Sequence, residues 1–209
     1  PALQYEAVRN PAIELDTAGN FVVVWERSDD SYDGRSIVGR RFDDGGTPFG
    51  APFQVSTPGA SGYGTSYWNR SPDVGVAPGG EFVVTWMAVP QYVGGYAVIA
   101  QRFDASGGAV GGEFQVNEQE YYYGYPKSSY FESSPDVIYE ESGGFLVAWS
   151  SSSIALPDGT DVYNVAGRRF DASGAPLGAQ FQLGAALQSE YNGETIDESY
   201  DGCPSLAQL

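Results

Sequence analysis

The feature that most constrains the fold of this chain is an internal repeat marked by several landmarks in one order. The run Phe-Val-Val-Val-Trp at residues 21–25 returns as Phe-Val-Val-Thr-Trp at 82–86 and as Phe-Leu-Val-Ala-Trp at 145–149, at offsets of 61 and 63 residues. An Arg-Phe-Asp segment and then a Phe-Gln-Val or Phe-Gln-Leu segment follow each run. The prolines that precede each unit are Pro11, Pro72, Pro135 and Pro204. Such a period indicates an architecture of stacked, equivalent units.

Each repeat is predicted to form four antiparallel strands, named a to d in chain order. Strand a follows the proline, at 12–15, 73–76 and 136–139, and ends at a glycine turn. Strand b is the Phe-to-Trp run, and its alternation places Phe21, Val23, Trp25 and their equivalents on one buried face. Strand c ends in Arg-Phe-Asp, and an Asp-x-x-Gly turn leads to strand d, Phe-Gln-Val. A four-stranded meander at this spacing is typical of a β-propeller blade.

The sequence therefore predicts an all-β chain of about three four-stranded antiparallel propeller-type blades, with a strand fragment at each end. A β-prism-like arrangement of three sheets is the alternative. The predicted divisions are a trailing strand d at 1–10, repeats at 11–71, 72–134 and 135–203, and the first strand of a fourth unit at 204–209.

The two end fragments would leave unpaired backbone groups, which are templates for another strand. We expect them to pair with adjoining repeats or with other copies of the chain. The predicted assembly edges are Leu3, Tyr5, Leu206 and Leu209.

The succession Phe-Val-Val-Val-Trp, Arg-Arg-Phe-Asp and Phe-Gln-Val resembles tandem repeats of large secreted or surface-attached bacterial proteins. The resemblance covers nearly the whole chain. It implies an extracellular or cell-surface bacterial setting and a binding or structural task, and it supplies no catalytic residues.

Charge and composition exclude several classes of function. The 27 Asp and Glu residues exceed the 10 Lys and Arg residues, and a net charge of −17 repels nucleic acid phosphates. The absence of histidine removes every mechanism that needs an imidazole base or ligand. A single cysteine, Cys203, excludes an internal disulfide framework. The sequence has no apolar run of about 18 residues, so membrane insertion is not expected.

The loops between strands b and c and between strands d and a are long and differ among the repeats. In a propeller they share one face, and variable loops on a rigid scaffold commonly carry function. Their aromatic rings suit sugars and protein surfaces, although packing of these rings onto the blades is the alternative. The predicted ligand- or partner-binding residues are Tyr63, Tyr67, Trp68, Tyr121, Tyr122, Tyr123, Tyr125 and Tyr130.

Acidic residues also gather in these loops. Calcium takes six to eight oxygen ligands from carboxylates and carbonyls, so it is the candidate ion for these loops, and no other cofactor is expected. The alternative is that these are solvated turn residues. The predicted metal ligands are Asp29, Asp30, Asp33, Asp158 and Asp161.

From these features we expect a non-catalytic extracellular protein for adhesion, scaffolding, or filament or matrix assembly, and not an enzyme. A glycan-binding lectin that uses the aromatic loops is the alternative, and a carbohydrate-active enzyme ranks third. Paired carboxylates can hydrolyse glycosidic bonds, but acidic residues are too frequent here for any loop pair to stand out. For the recurring Arg41, Arg102 and Arg169 we expect structural pairing with strand-end acids or stacking on the strand-b tryptophan.

Overall fold

The structure is a computed structural model that describes residues 7–28, 35–57, 67–90, 96–118, 121–122, 125–126, 131–140, 142–154, 161–183 and 187–188. All regular secondary structure in these segments is β, and they contain no helix. The prediction of an all-β chain is therefore confirmed. Within the same segments there is consequently no helix with the length and apolar character to cross a membrane.

Three antiparallel meanders account for most of the strands. The first contains β1 (Ala7–Leu15), β2 (Phe21–Ser28), β3 (Arg35–Phe42) and β4 (Phe53–Gln54). The second contains β5 (Tyr67–Val76), β6 (Phe82–Pro90), β7 (Ala97–Phe103) and β8 (Ala109–Gln115). A short hairpin of β9 (Tyr121–Tyr122) and β10 (Tyr125–Pro126) precedes the third meander. That meander contains β11 (Phe131–Tyr139), β12 (Phe145–Ile154), β13 (Asp161–Phe170) and β14 (Phe181–Gln182), with β15 (Leu187–Gln188) also pairing to β13.

The first strand of each meander is longer than the sequence predicts. It begins four or five residues before the proline. The sequence assigns that segment to a loop before Pro72 and Pro135, and to the trailing strand d at 1–10 before Pro11. The pairing register shifts around each proline, and the residue before it has a positive φ: 46° at Asn10, 48° at Ser71 and 51° at Ser134. A β-bulge therefore accommodates a residue that cannot donate a ladder hydrogen bond, and the strand continues through it.

The core lies between successive meanders and is built from repeated aromatic contacts. In every meander the phenylalanine that begins the second strand stacks on the one that ends the third, with ring centroids 4.8 to 5.0 Å apart. Phe53 of the first meander then packs at a tilt against Phe82 and Phe103 of the second, at 6.0 and 5.4 Å. Phe114 makes the equivalent contacts with the third meander. Each meander thus packs one face onto the next in the same direction.

The buried face predicted for strand b is present in two of the three meanders. Trp86 and Trp149 are each 1% exposed, and the phenylalanines and valines on their faces are also buried. In the first meander, by contrast, Phe21, Val23 and Trp25 are only partly buried.

The physical reason is the direction of packing. Val22 and Val24, on the opposite side of β2, are buried against Phe82 and Trp86 of the second meander. No meander of the described segments covers the side of β2 that carries Trp25.

The recurring arginines have structural contacts: Arg41 and Arg102 contact the next meander, and Arg169 pairs with an acid at a strand end. Arg102 donates to the backbone carbonyls of Ala172, at 2.5 Å, and Ser173, both in a turn of the third meander. Arg41 lies against the equivalent turn of the second meander, where a Cβ added to Gly107 would be 3.2 Å from the Arg41 Cδ. Arg41 and Arg102 therefore link neighbouring meanders. Arg169 instead pairs within its own meander, where its Nε lies 2.9 Å from Oε1 of Glu140, directly after β11.

Candidate functional site

Few of the residues predicted to bind ligands or metal fall in the described part of the chain. Trp68 does, and it is 42% exposed. Tyr67, Tyr121, Tyr122 and Tyr125 belong to β5, β9 and β10, and Asp161 begins β13, but only their backbone is described. The predicted residues outside the described segments are Tyr63, Tyr123, Tyr130, Asp29, Asp30, Asp33, Asp158, Leu3, Tyr5, Leu206 and Leu209. The described residues contain no group of three or more His, Cys, Asp or Glu side chains placed to hold a metal ion.

Two aspartates meet where the first strands of the second and third meanders come together. Asp73 on β5 and Asp136 on β11 each follow the proline of a bulge, and both are partly buried. The two strands approach so closely that a Cβ added to Gly75 would lie 2.9 Å from the carbonyl oxygen of Val137. The backbone N–H of Val137 donates to Oδ2 of Asp73 at 2.7 Å. The carboxyl group of Asp73 is thereby held across the junction.

The environment of this pair favours the protonated form of one carboxyl group. Burial, and then a hydrogen bond with the Asp136 side chain, raises the pKa of Asp73 to about 8. Two carboxyl groups in contact share one proton near neutral pH, because both cannot be charged at such short range. A partly exposed carboxyl group that keeps its proton at neutral pH can act as a general acid.

The sequence pattern did not reveal this pair, for two reasons. The equivalent position of the first repeat is Ala12, and acidic residues are common throughout the chain. The available signal was the Pro-Asp dipeptide, which recurs at the start of two predicted strands. The propeller arrangement places those strands side by side.

A second cluster surrounds a buried glutamate at the junction of the first two meanders. Glu26 is 1% exposed. Its Oε1 accepts hydrogen bonds from Nδ2 of Asn10 at 2.6 Å and from the backbone N–H of Ser71 at 2.8 Å. Its Oε2 lies 3.3 Å from Nη1 of Arg35. Glu26 shares the buried face of β2 with Val22 and Val24, whereas the sequence alternation predicted the opposite face to be buried, so nothing in the sequence singled out this glutamate.

Two arginines lie beside the exposed Trp68 in this cluster. The guanidinium carbons of Arg70 and Arg35 are 4.7 and 5.8 Å from the centre of the Trp68 ring. Burial, and then the neighbouring Arg35, lowers the pKa of Arg70 below its ordinary value. The Nε of Arg70 is buried and has no hydrogen-bond partner among the residues that the structure describes.

The backbone that carries Trp68 and Arg70 is held by contacts with β3 and with β6. A parallel bridge joins Arg35 of β3 to Trp68 of β5. Asn69 donates from Nδ2 to the carbonyl oxygen of Arg35 at 3.1 Å, and its Oδ1 accepts from Nε1 of the buried Trp86 at 3.1 Å. The aromatic ring and both guanidinium groups are therefore presented by a rigid junction.

Comparison with solved structures identifies the architecture. An endo-arabinase from Bacteroides thetaiotaomicron matches with a TM-score of 0.52 and 17% identity over 86% of this chain. A family 117 glycoside hydrolase from the marine bacterium Zobellia galactanivorans matches with a TM-score of 0.52 and 14% identity over 85%. The fold is a β-propeller. The meanders are therefore its blades, and the β-prism alternative is rejected.

The match is limited in length and in sequence. This chain covers 61% of the arabinase and 55% of the family 117 enzyme. No family model and no curated protein matches the sequence. The resemblance to tandem repeats of secreted bacterial proteins accordingly stays a prediction.

The comparison corrects the expected function. We predicted a non-catalytic protein for adhesion, scaffolding or assembly, and no enzyme, whereas the propellers that match are glycoside hydrolases. That prediction looked for catalytic groups in the loops and treated the first strands as scaffold, and it did not consider the carboxyl groups of Asp73 and Asp136 that meet on these strands. At 17% identity or less the likeness establishes the fold alone, so an activity has to be argued from the residues of this chain.

Proposed function

We propose that this propeller is a carbohydrate-active enzyme that hydrolyses glycosidic bonds, with Asp73 as the proton donor. The observation that carries the proposal is the Asp73–Asp136 pair on adjacent first strands. The glycoside hydrolases with the same fold support the choice of reaction class.

The chemistry follows from the protonation state of the pair. Cleavage of a glycosidic bond requires a proton for the leaving oxygen and a second carboxylate that activates water or attacks the sugar. Asp73 retains its proton at neutral pH because its carboxyl group is partly buried and contacts Asp136. Asp136 acts as a positioning residue that keeps this proton in place.

The same geometry assigns the second carboxylate to another residue. Carboxyl groups in direct hydrogen-bond contact are closer than the separations of about 5 Å in retaining enzymes and about 6.5–9.5 Å in inverting enzymes. Asp136 therefore does not supply the nucleophile or the base in this proposal. The acidic loops between strands b and c are the proposed source.

The test is hydrolysis of a polysaccharide panel that includes arabinan and pectic and sulfated polymers, measured as released reducing ends. We expect Asp73→Asn to lower kcat by roughly 10²- to 10⁴-fold, the usual contribution of a general acid. Asp136→Asn removes a group that raises the pKa of Asp73, so the alkaline limb of the pH profile should move to lower pH. Asp104→Asn, in the exposed turn before β8, is the matched control and should retain wild-type turnover.

Two results would overturn the proposal. One is wild-type kcat in the Asp73→Asn variant, with folding verified by circular dichroism. The other is the absence of turnover on the whole panel by wild-type protein.

The setting and the remaining interactions are also proposals. An extracellular or cell-surface location suits an enzyme that acts on polysaccharides. We further propose calcium binding by the acidic loops and strand pairing with adjoining repeats or other copies.

A further inference from the structure

We propose that Trp68, Arg70 and Arg35 form a binding subsite for an anionic sugar unit, in which Trp68 contacts the ring and the arginines bind its acidic group. This inference rests on the proposed function, because it names the substrate class of the same propeller. The shared chemistry is a carboxylate or sulfate group carried on a sugar ring.

The Trp68 side chain is 42% exposed, although its backbone is fixed to β3 through the bridge to Arg35. A large aromatic ring held rigidly at the surface can bury apolar area on a ligand at little cost in conformational entropy. The apolar face of a sugar ring is a suitable partner for such a surface.

The cluster gathers positive charge in an otherwise acidic chain. The whole chain has 10 basic residues and a net charge of −17, yet Arg9, Arg35 and Arg70 lie close enough for the two others to lower the pKa of Arg70. Glu26 raises the pKa of Arg70, and its carboxylate pairs with Arg35 at 3.3 Å. One carboxylate thus faces three guanidinium groups among the described residues of the cluster, and an anionic ligand would neutralise the positive charge that remains.

Arg70 also carries an unsatisfied hydrogen-bond donor. The Nε of Arg70 is buried and lacks a hydrogen-bond partner within the described segments, and a buried donor of this kind is destabilising until an acceptor reaches it. The planar guanidinium group offers parallel donors to a carboxylate or a sulfate. An oxygen of an acidic sugar would satisfy this nitrogen and would lie next to Trp68.

Arg70 lies on the strand that carries Asp73. The two residues are three positions apart on β5, on either side of the bulge at Pro72. Asp73 contacts β11, and Arg70 lies beside Arg35 of the first blade. A polymer bound along β5 would therefore reach both Asp73 and the cluster, which is how the cluster would serve the proposed active site.

The experiment is calorimetric titration with three probes: an oligogalacturonide, a sulfated oligosaccharide and a neutral arabino-oligosaccharide. Titrations use the Asp73→Asn variant, which is expected to bind without cleaving. We expect at least one anionic probe to bind at least about tenfold more tightly than the neutral probe. The affinity for that anionic probe should fall as salt is added. The two anionic probes distinguish a carboxylate from a sulfate.

Substitutions then locate the binding site. Arg70→Lys keeps the charge but removes the buried Nε and the planar donor pair, and it should weaken anionic binding about tenfold. Trp68→Ala should weaken binding of anionic and neutral probes alike. Arg27→Lys is the matched control, because Arg27 lies at the same end of the first blade and contacts Gln54; its affinity should stay within about twofold of the parent protein.

The inference is overturned if anionic and neutral probes bind equally, or if Arg70→Lys and Arg27→Lys behave alike. Its failure can be separated from failure of the proposed function. Loss of anionic selectivity in a protein that still hydrolyses a neutral polymer through Asp73 removes this inference alone. Selective binding that depends on Arg70, together with full turnover by Asp73→Asn, removes only the proposed catalytic role.

Discussion

At the scale of single residues, the most informative side chains are ionisable groups in positions that the repeat pattern reserves for the scaffold. Glu26 lies on the buried face of β2 with Val22 and Val24 and is held by three donors. Asp73 occupies a first strand and shares a proton with Asp136. Desolvating such groups costs free energy, so their contacts decide whether the fold tolerates them.

The shared proton predicts a specific pH dependence of stability. The pKa of Asp73 is raised from 3.8 to about 8 in the folded protein, so the folded state binds a proton that the unfolded chain has lost throughout this interval. The contribution of this group to the free energy of unfolding is therefore largest below about pH 4 and falls as the pH rises to about 8. Urea unfolding at about pH 5, 7 and 9 measures the slope.

Two variants isolate the contribution of Asp73 to that slope. Asp73→Asn cannot titrate and should unfold with a flatter pH profile. Asp104→Asn should keep the wild-type slope in this range, because hydrogen bonds to Ser106 and the adjacent backbone lower the pKa of Asp104. Identical slopes for wild type and Asp73→Asn would show that the pair does not hold this proton.

At the scale of strands, the first strand of each blade combines a bulge with close approach to its neighbour. Gly75 on β5 faces the backbone of Val137 on β11, where a Cβ atom at residue 75 would lie 2.9 Å from the carbonyl oxygen. This contact sets the spacing of the two strands that carry Asp73 and Asp136. The absence of a side chain at residue 75 is therefore a requirement of the site as well as of the packing.

The Gly75→Ala substitution should destabilise the protein by about 1–3 kcal/mol, since the added methyl group forces two backbones apart. Gly112→Ala is the matched control in β8, where nothing lies within 4 Å of the added Cβ, and it should change stability little. Equilibrium urea unfolding of both variants tests the difference. Equal stability of the two variants would contradict the close approach of β5 and β11.

The sequence predicted the structure best where apolar residues alternate with the two-residue period of a β-strand. The Phe-to-Trp runs predicted β2, β6 and β12, because alternation and turn residues agree at those positions. It failed at the beginning of β1, β5 and β11, because a proline is ordinarily a boundary and the bulge that accommodates it is a tertiary feature. Trp68 was predicted from its residue type, whereas Asp73 and Arg70 depend on contacts between distant strands that a local pattern does not encode.

At the scale of the whole molecule, stability resides in the interfaces between blades. Trp86 lies in the interface of the first and second blades and is 1% exposed. Trp25 occupies the equivalent sequence position in the first blade but is only partly buried. The same residue type therefore has two environments in one chain.

This difference gives a prediction with an internal control. Trp86→Ala should lower the free energy of unfolding by about 3–5 kcal/mol, because it leaves a large cavity between two blades. Trp25→Ala should lower it by clearly less, since part of that ring already contacts solvent. Comparable losses in urea unfolding would contradict the direction in which the blades pack.

The contact between Arg102 and the turn at Ala172 and Ser173 has a consequence for how such a gene can change. Arg41 and Gly107 form the corresponding contact one unit earlier. In both cases the arginine of one unit contacts the turn of the next unit along the chain. Recombination that duplicates or deletes one full unit length leaves every such arginine facing a matching turn. Insertion or loss of part of a unit separates the two. This junction therefore favours evolution of the gene in whole-unit steps.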